Sequence, residues 1–459
     1  MRYISTRGQA PETGFAEACL AGLAPDGGLY VPKEWPRIEP ARPGEPYAEV
    51  AARIISAFAG ASIPPQDVLQ ICRDAYAGFA HQSVAPLTQW GPDSWLMELH
   101  HGPTLAFKDI AMQLIAKLYD YLLARSGAKL TIVCATSGDT GGAAAAAFAG
   151  ARQARLVILH PEGRVSPVQR LFMTTTGAAN ILNIATDRDF DDAQAIVKQM
   201  FADKDFAQTV SLSGVNSINW ARVAAQSVYY ATSQAQLRGA PIRYVVPSGN
   251  MGDALAGYVA ARCGLLTGGF EAVCAVNEND ALARLFNTGR MTRQAAVATP
   301  SPAMDISVPS NFERILYEVT GRDAVAVRNT YAAYAQSGDA PLPEGAPARL
   351  GCSGLSAATI NNAETLAEME RFRAETGWLI CPHTAVGTAL ARRLPAKDAV
   401  TVVLATAAAS KFPETVLEAT GQDAPLPVRS QALRARGEVF ERVPSDFAAV
   451  RARVLDFAR

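Results

Sequence analysis

From Leu130 onward, short apolar runs rich in β-branched residues recur along the chain. Each gives way to a polar, glycine-bearing loop and then to an amphipathic stretch. LTIVCA (130–135) leads into SGDTGGAAAAAFAG, RLVILH (155–160) into SPVQRLFMTTTG, and NILNIAT (180–186) into DRDFDDAQAIVKQMF. Later, IRYVVPSGN (242–250) precedes MGDALAGYVAARC, FEAVCAVNEND (270–280) precedes ALARLFNTG, and AVTVVLAT (399–406) precedes SKFPETVLEATG. Strand, loop and helix in repetition predict an α/β protein whose mostly parallel sheets are covered by helices. Three units fall before residue 190 and the rest after 240, which predicts two parallel-sheet α/β domains flanking a cleft. Residues 1–90 lack this alternation. They read as a mostly helical N-terminal domain interrupted by the proline-rich PDGGLYVPKEWPRIEPARPGEP. The expected division is 1–90, a larger α/β domain of 91–129 and 215–459, and a smaller one of 130–214 expected to move.

Composition narrows the function classes. The chain has 459 residues, 49% hydrophobic and 19% charged, enough to bury a large core. Its 42 Lys and Arg against 43 Asp and Glu give no general reason to bind nucleic acid or an anionic membrane. No apolar run approaches the ~18 residues of a membrane span, and the start, MRYISTRGQAPETG, has no signal-like apolar core. Seven scattered cysteines without a CxxC are expected to be reduced thiols in a cytoplasmic protein. No HExxH, Walker A or zinc-finger spacing is present, so no metal is expected.

The chemistry-bearing loops all follow predicted strands, where ligands of parallel sheets bind. In PSGNMGD (247–253), Gly249 and Gly252 bracket a turn that can aim backbone N–H groups and a helix N-terminus at a phosphate; alone, it could equally be a plain turn. SGDTGG (137–142) is a second such loop, in which Ser137, Asp139 and Thr140 could be caps only. VNSINWAR (215–222) opens a long helix through AAQSVYYATSQAQL; Asn216, Ser217 and Asn219 are possible caps, and Arg222 lies where it could grip a phosphate. Thr406 ends the strand VVLAT. Two glycine loops suggest two anionic groups, one from a cofactor and one from a substrate.

HGPTLAFKDI (101–110) sets a lysine, Lys108, inside an apolar run at the mouth of a helix that is apolar on most of its circumference (Ile110, Leu114, Ile115, Leu118, Leu122). Helix N-termini disfavour cations and burial penalises an ammonium. Either the side chain snorkels to water or it serves as a neutral amine able to condense with a carbonyl. A reactive lysine, a phosphate cradle and a strand-end hydroxyl are what pyridoxal phosphate requires. His101 lies close enough in sequence to line the same site.

With these residues laid out, the chain resembles the threonine synthase family, within the fold type II group of pyridoxal-phosphate enzymes. MRYISTRG, GLAPDGGLYVP, ELHHGPTLAFKD, ATSGDTGGAA, VNSINWAR, PSGNMGD, AMDISVPSNFER and VVLATAAASKFPE carry the likeness, in the family's order and over nearly the whole length. The resemblance implies a pyridoxal-phosphate Schiff base on Lys108 and the cofactor phosphate on Gly249, Asn250, Met251, Gly252 and Asp253. It sets Thr406 at the pyridine nitrogen and Asp139 where many relatives carry asparagine near the ring hydroxyl. It implies the substrate phosphate on Ser137, Thr140, Asn216, Ser217 and Arg222. The chain departs from the pattern at 407–409, where alanines stand in place of the histidine and proline of many members.

The implied reaction turns O-phospho-L-homoserine and water into L-threonine and phosphate by γ-elimination and β-addition of water. Within the same fold the alternatives are a lyase or dehydratase giving 2-oxobutyrate. Outside it, the alternative is a non-catalytic phosphometabolite-binding protein, which has no need of Lys108. The expected partner is a small molecule, with neither nucleic acid nor membrane, and monomer and homodimer both remain open.

Overall fold

The computed structural model describes residues 1–459, apart from the side chain of Asp191. Six strands form a first sheet in the spatial order Leu355–Thr359, Glu271–Val276, Ile242–Pro247, Val400–Ala405, Ser94–Glu98 and Leu87–Gly91. All neighbours are parallel except the last pair, a hairpin turned at Pro92–Asp93. Five parallel strands form the second, in the order Glu441–Arg442, Ile181–Thr186, Ala154–Pro161, Leu130–Ala135 and Leu212–Ser213. All six strands expected from the apolar runs are present. Their continuous burial, as in Ile242–Pro247, is what a sheet covered on both faces demands.

The helix Lys108–Ser126 is buried on most of its circumference, as its sequence predicts. It ends at Gly127, whose left-handed backbone closes the last turn. The helix Trp220–Gln236 is more deeply buried still, and Asn219 caps it by accepting the Ala221 N–H. The N-terminal region contributes three helices, Phe15–Ala21, Tyr47–Ala59 and Pro65–Tyr76, with a two-stranded ribbon of Tyr3–Ser5 and Tyr30–Pro32. Its Tyr3, Trp35 and Phe58 pack around Trp220, so it covers the base of the long helix.

Two boundaries differ from expectation. The strand Leu87–Gly91 already belongs to the first sheet. The C-terminal segment, grouped by sequence with the larger domain, returns to the second sheet: Glu441–Arg442 pairs with Ile184 and Ala185. The helix Phe447–Ala458 there buries Val450 and Val454 in one core with Ile196, Val197 and Met200. Among the described residues, no helix is long and apolar enough to cross a membrane.

Candidate active site

The site is built where three strands end. Thr136 follows Leu130–Ala135, Ser248 follows Ile242–Pro247, and Thr406 follows Val400–Ala405. Together they line a cavity of about 140 Å³ with Lys108 on its wall.

Lys108 is aimed by a short antiparallel join between two distant segments. Ala106 bridges Ala407, the Phe107 N–H donates to the Thr406 carbonyl at 2.8 Å, and the Ala408 N–H donates to the Leu105 carbonyl at 3.0 Å. Leu105 is held at φ 63°, a left-handed conformation costly for a branched side chain and typical of over-determined sites. The join stops at Phe107, and Lys108 begins the helix with its Nζ 3.2 Å from Asp139 Oδ2. Burial lowers the lysine's pKa; Asp139 opposes that shift, while Lys411 and Arg222 add to it.

The SGDTGG loop is organised by Thr136, whose Oγ1 accepts the N–H of Gly138 at 2.9 Å and of Gly141 at 3.0 Å. A Cβ on Gly138, at φ 137°, would fall 2.6 Å from the Gln169 carboxamide. Gln169 needs that space, because its Nε2 donates to Asp139 Oδ1 at 2.9 Å. Asp139 starts the helix Asp139–Phe148, where a carboxylate is favoured. Burial would raise its pKa, but Lys411 and then Lys108 hold it far below the ordinary carboxylate range.

The PSGNMGD loop forms the opposite wall. A Cβ on Gly249 would meet Ile306 Cγ1 at 2.8 Å and the Ala303 and Met304 backbone at 3.1 Å, so only glycine lets the chain pass. Met251 is in the left-handed region at φ 59° and leads into the helix Gly252–Arg262. The first N–H groups of such a helix lack partners within it. The loop is pinned from outside: Ser310 donates to Asn250 Oδ1 at 3.0 Å and the Asn311 N–H to the Asn250 carbonyl at 3.1 Å. Asn311 Nδ2 reaches the Ser217 carbonyl at 3.2 Å. The stretch AMDISVPSNFER thus ties the PSGNMGD loop to the start of VNSINWAR.

Lys108, Ser137, Asp139, Thr140, Asn216, Ser217, Arg222, Gly249, Asn250, Met251, Gly252, Asp253 and Thr406 all line the cavity. His101 does not. Its Nε2 lies 2.7 Å from Glu98, and with His100 it forms a separate cluster beyond the join. The expectation that it shares the site is corrected, because the chain reverses between Gly102 and Leu105. The hydrogen bond from His101 is the main cause that brings Glu98 down to about 2. Ala407, Ala408 and Ala409 border a second cavity of about 310 Å³, shared with His100, Trp378 and Ile380.

Three residues escaped sequence reasoning. Gln169 and Lys411 hold Asp139. His383, near the start of the helix Pro382–Arg393, lines the cavity and packs on Phe412. The Ala303 N–H donates to its Nε2 at 3.2 Å, and burial lowers its pKa to about 3, so it is neutral. A histidine directly after Pro382, heading the stretch TAVGTALARR, was the one available signal for it.

The buried side-chain atoms facing the cavity without partners test the fit of a ligand. They include Ser248 Oγ, Arg222 Nε, Asn216 Oδ1 and His383 Nδ1. Such atoms are rare in folded proteins and call for partners. A reactive amine, a glycine wall no side chain can fill, and a strand-end hydroxyl fit pyridoxal phosphate. The remaining polar groups around Arg222 fit a second anion.

Comparison with known proteins gives the same picture. Residues 2–76 match the model of the threonine synthase N terminus, 82–338 that of pyridoxal-phosphate dependent enzymes, and 384–454 that of the threonine synthase C-terminal region. A threonine synthase of Pseudomonas aeruginosa is 43% identical, over 98% of this chain and 97% of its own. A Saccharomyces cerevisiae threonine synthase is 36% identical, over 90% and 88%. The crystal structure of pyridoxal-phosphate-bound threonine synthase from Brucella melitensis superposes with a TM-score of 0.95 at 44% identity, covering all of both chains. That of the Escherichia coli threonine synthase superposes with a TM-score of 0.84 at 30% identity, over 99% of this chain and all of its own.

Proposed function

The chain belongs to the threonine synthase family of pyridoxal-phosphate-dependent enzymes, and on that premise we propose how its own residues carry the reaction. The activity is conversion of O-phospho-L-homoserine and water to L-threonine and phosphate. The observation that carries the residue assignment is the buried Lys108 amine, facing one cavity between a glycine loop and Arg222.

When bound, pyridoxal phosphate supplies an aldehyde for an amine to condense with and an electron-withdrawing ring that stabilises negative charge on the adjoining carbons. Lys108 Nζ would hold the cofactor covalently, and when displaced from it by the substrate amine would act as the neutral base at the substrate Cα. Gly249, Asn250, Met251, Gly252 and Asp253 enclose the cofactor phosphate. Backbone N–H groups at the helix start donate to it.

Thr406 would offer the pyridine nitrogen a hydroxyl, which unlike a carboxylate does not favour ring protonation. Asp139 would stand near the ring hydroxyl; its charge is balanced by Lys108 and Lys411. Ser137, Thr140, Asn216, Ser217 and Arg222 would grip the substrate phosphate and orient its γ-carbon–oxygen bond, whose electron pair leaves with the phosphate as a second proton is lost from Cβ. The near-balanced charge and the dispersed thiols support a cytoplasmic enzyme acting on a small molecule alone.

The assignment is tested with Lys108→Ala. We expect a folded protein that neither develops visible absorption with pyridoxal phosphate nor is tagged by borohydride. Release of phosphate and threonine from O-phospho-L-homoserine should fall by about 10³-fold or more. Turnover within tenfold of the parent would refute the role of Lys108.

A further inference from the structure

The wall around Lys108 holds more charge than one proton transfer uses. Two buried lysines, Lys108 and Lys411, flank the carboxylate of Asp139, and the buried Arg222 guanidinium acts on Lys108 from beyond it. Lys411 lies in the single helical turn Ala409–Lys411 and has no exposed surface. Its Nζ is 2.7 Å from Asp139 Oδ1 and donates to the Thr104 carbonyl at 2.8 Å. Lys108 meets only the other oxygen, Oδ2, at 3.2 Å; among the described residues this is its one side-chain hydrogen bond.

The other ionisable neighbours are His383, Arg222, Asp109 and Cys381, whose thiol pKa is pushed up by burial. His383 is neutral. Arg222 is lowered to about 10 by burial but keeps its charge. Asp109 spends its two oxygens on the Thr104 N–H and hydroxyl, at 2.8 and 2.7 Å, and meets Lys411 through Thr104.

A buried carboxylate between two ammoniums neutralises one of them, and the closer partner, Lys411 at 2.7 Å against 3.2 Å for Lys108, takes it. We infer that Lys411 is a positioning residue for the reaction: its ammonium occupies Asp139, and this leaves Lys108 as the amine of the pair that sheds its proton. The inference rests on Lys108 being the reacting amine. Without the Lys411 charge, Asp139 pairs with Lys108 alone and holds it as an ammonium.

Competitive acetylation of the full-length, cofactor-free chain, read lysine by lysine by mass spectrometry across pH, measures the neutral fraction of Lys108 directly. In Lys411→Met that fraction at a given pH should fall by about tenfold or more. Lys411→Arg, which keeps the charge, should stay near the parent. Lys411→Gln keeps a donor toward Thr104 without the charge and should behave as Lys411→Met does; it carries the test if the methionine variant does not fold. A merely structural Lys411 would leave the Lys108 midpoint in place. An unchanged or lowered midpoint in either natively folded neutral variant overturns the inference. Borohydride capture of pyridoxal phosphate on the parent's Lys108 is scored separately. Capture with an unmoved midpoint sinks only the role of Lys411, whereas failure of capture sinks the reading of Lys108.

Discussion

Arg222 is 2% exposed, and its one side-chain hydrogen bond among the described residues runs from Nη1 to the Val215 carbonyl at 3.3 Å. A buried guanidinium so poorly satisfied is costly unless an anion completes it. Arg222→Ala should therefore raise the KM for O-phospho-L-homoserine about tenfold to a hundredfold and leave the dissociation constant of pyridoxal phosphate nearly unchanged. Titration of the cofactor beside steady-state kinetics checks this, and equal losses would move Arg222 to the cofactor. Asp253 carries a different signature. Burial pushes its carboxyl up to about 7, against the lowering effect of the Tyr229 and Tyr230 hydroxyls and Arg222. In the unfolded chain it titrates near 4, so the folded state favours the neutral acid. Its stability contribution is intact below about pH 4, declines as pH rises to about 7, and is level above that. Asp253→Asn should remove this decline, worth about 4 kcal/mol at most. Urea unfolding of the cofactor-free parent and variant from pH 4 to 8 reads the difference, and parallel curves would contradict the assignment. The loop residues around these side chains were legible because several glycine-bearing polar loops follow apolar runs in one chain, although each alone could be a plain turn or cap. Gln169, Lys411 and His383 were not, since their meaning lies in contacts with residues far away in sequence.

At the scale of elements, the join between Leu105–Phe107 and Thr406–Ala408 decides where the lysine helix begins. Ala408 has φ −70°, which proline accepts without strain. Ala408→Pro therefore removes mainly one N–H and leaves the buried Leu105 carbonyl without its donor. The expected cost is about 1 to 3 kcal/mol, seen as weaker pyridoxal-phosphate binding with little change in secondary structure. Unchanged affinity by visible titration would show that Lys108 is aimed by its own helix alone. The strands with continuous branched apolar runs were readable in advance. Leu355–Thr359 was not: LSAAT is built of small residues, and the edge position it takes makes no demand for bulk. The hairpin Leu87–Gly91 and Ser94–Glu98 was hidden because its half-exposed residues mix tryptophan with polar side chains.

Over the whole molecule, the chain crosses between its two sheets and comes back. Residues 437–459 tie down the second unit: Arg170 pairs with Glu438 at 2.8 Å, Thr174 donates to the same carboxylate, and Arg451 pairs with Asp203 at 3.0 Å. The helix Pro167–Thr174, held this way, carries Gln169 to Asp139. Deleting 437–459 uncovers Val450 and Val454 partners and should cost about 3 to 6 kcal/mol from those side chains alone. Calorimetry should show a melting point several degrees lower, with new dye-binding apolar surface; an unchanged transition would mean the tail is dispensable. Sequence grouped this tail with the wrong sheet because a two-residue strand has no periodicity to read. The join that aims Lys108 has one edge near the first quarter of the chain and the other near its end. During translation, therefore, the lysine emerges from the ribosome long before its partner segment exists. A nascent chain that lacks 406–408 carries that amine without the surroundings the join gives it.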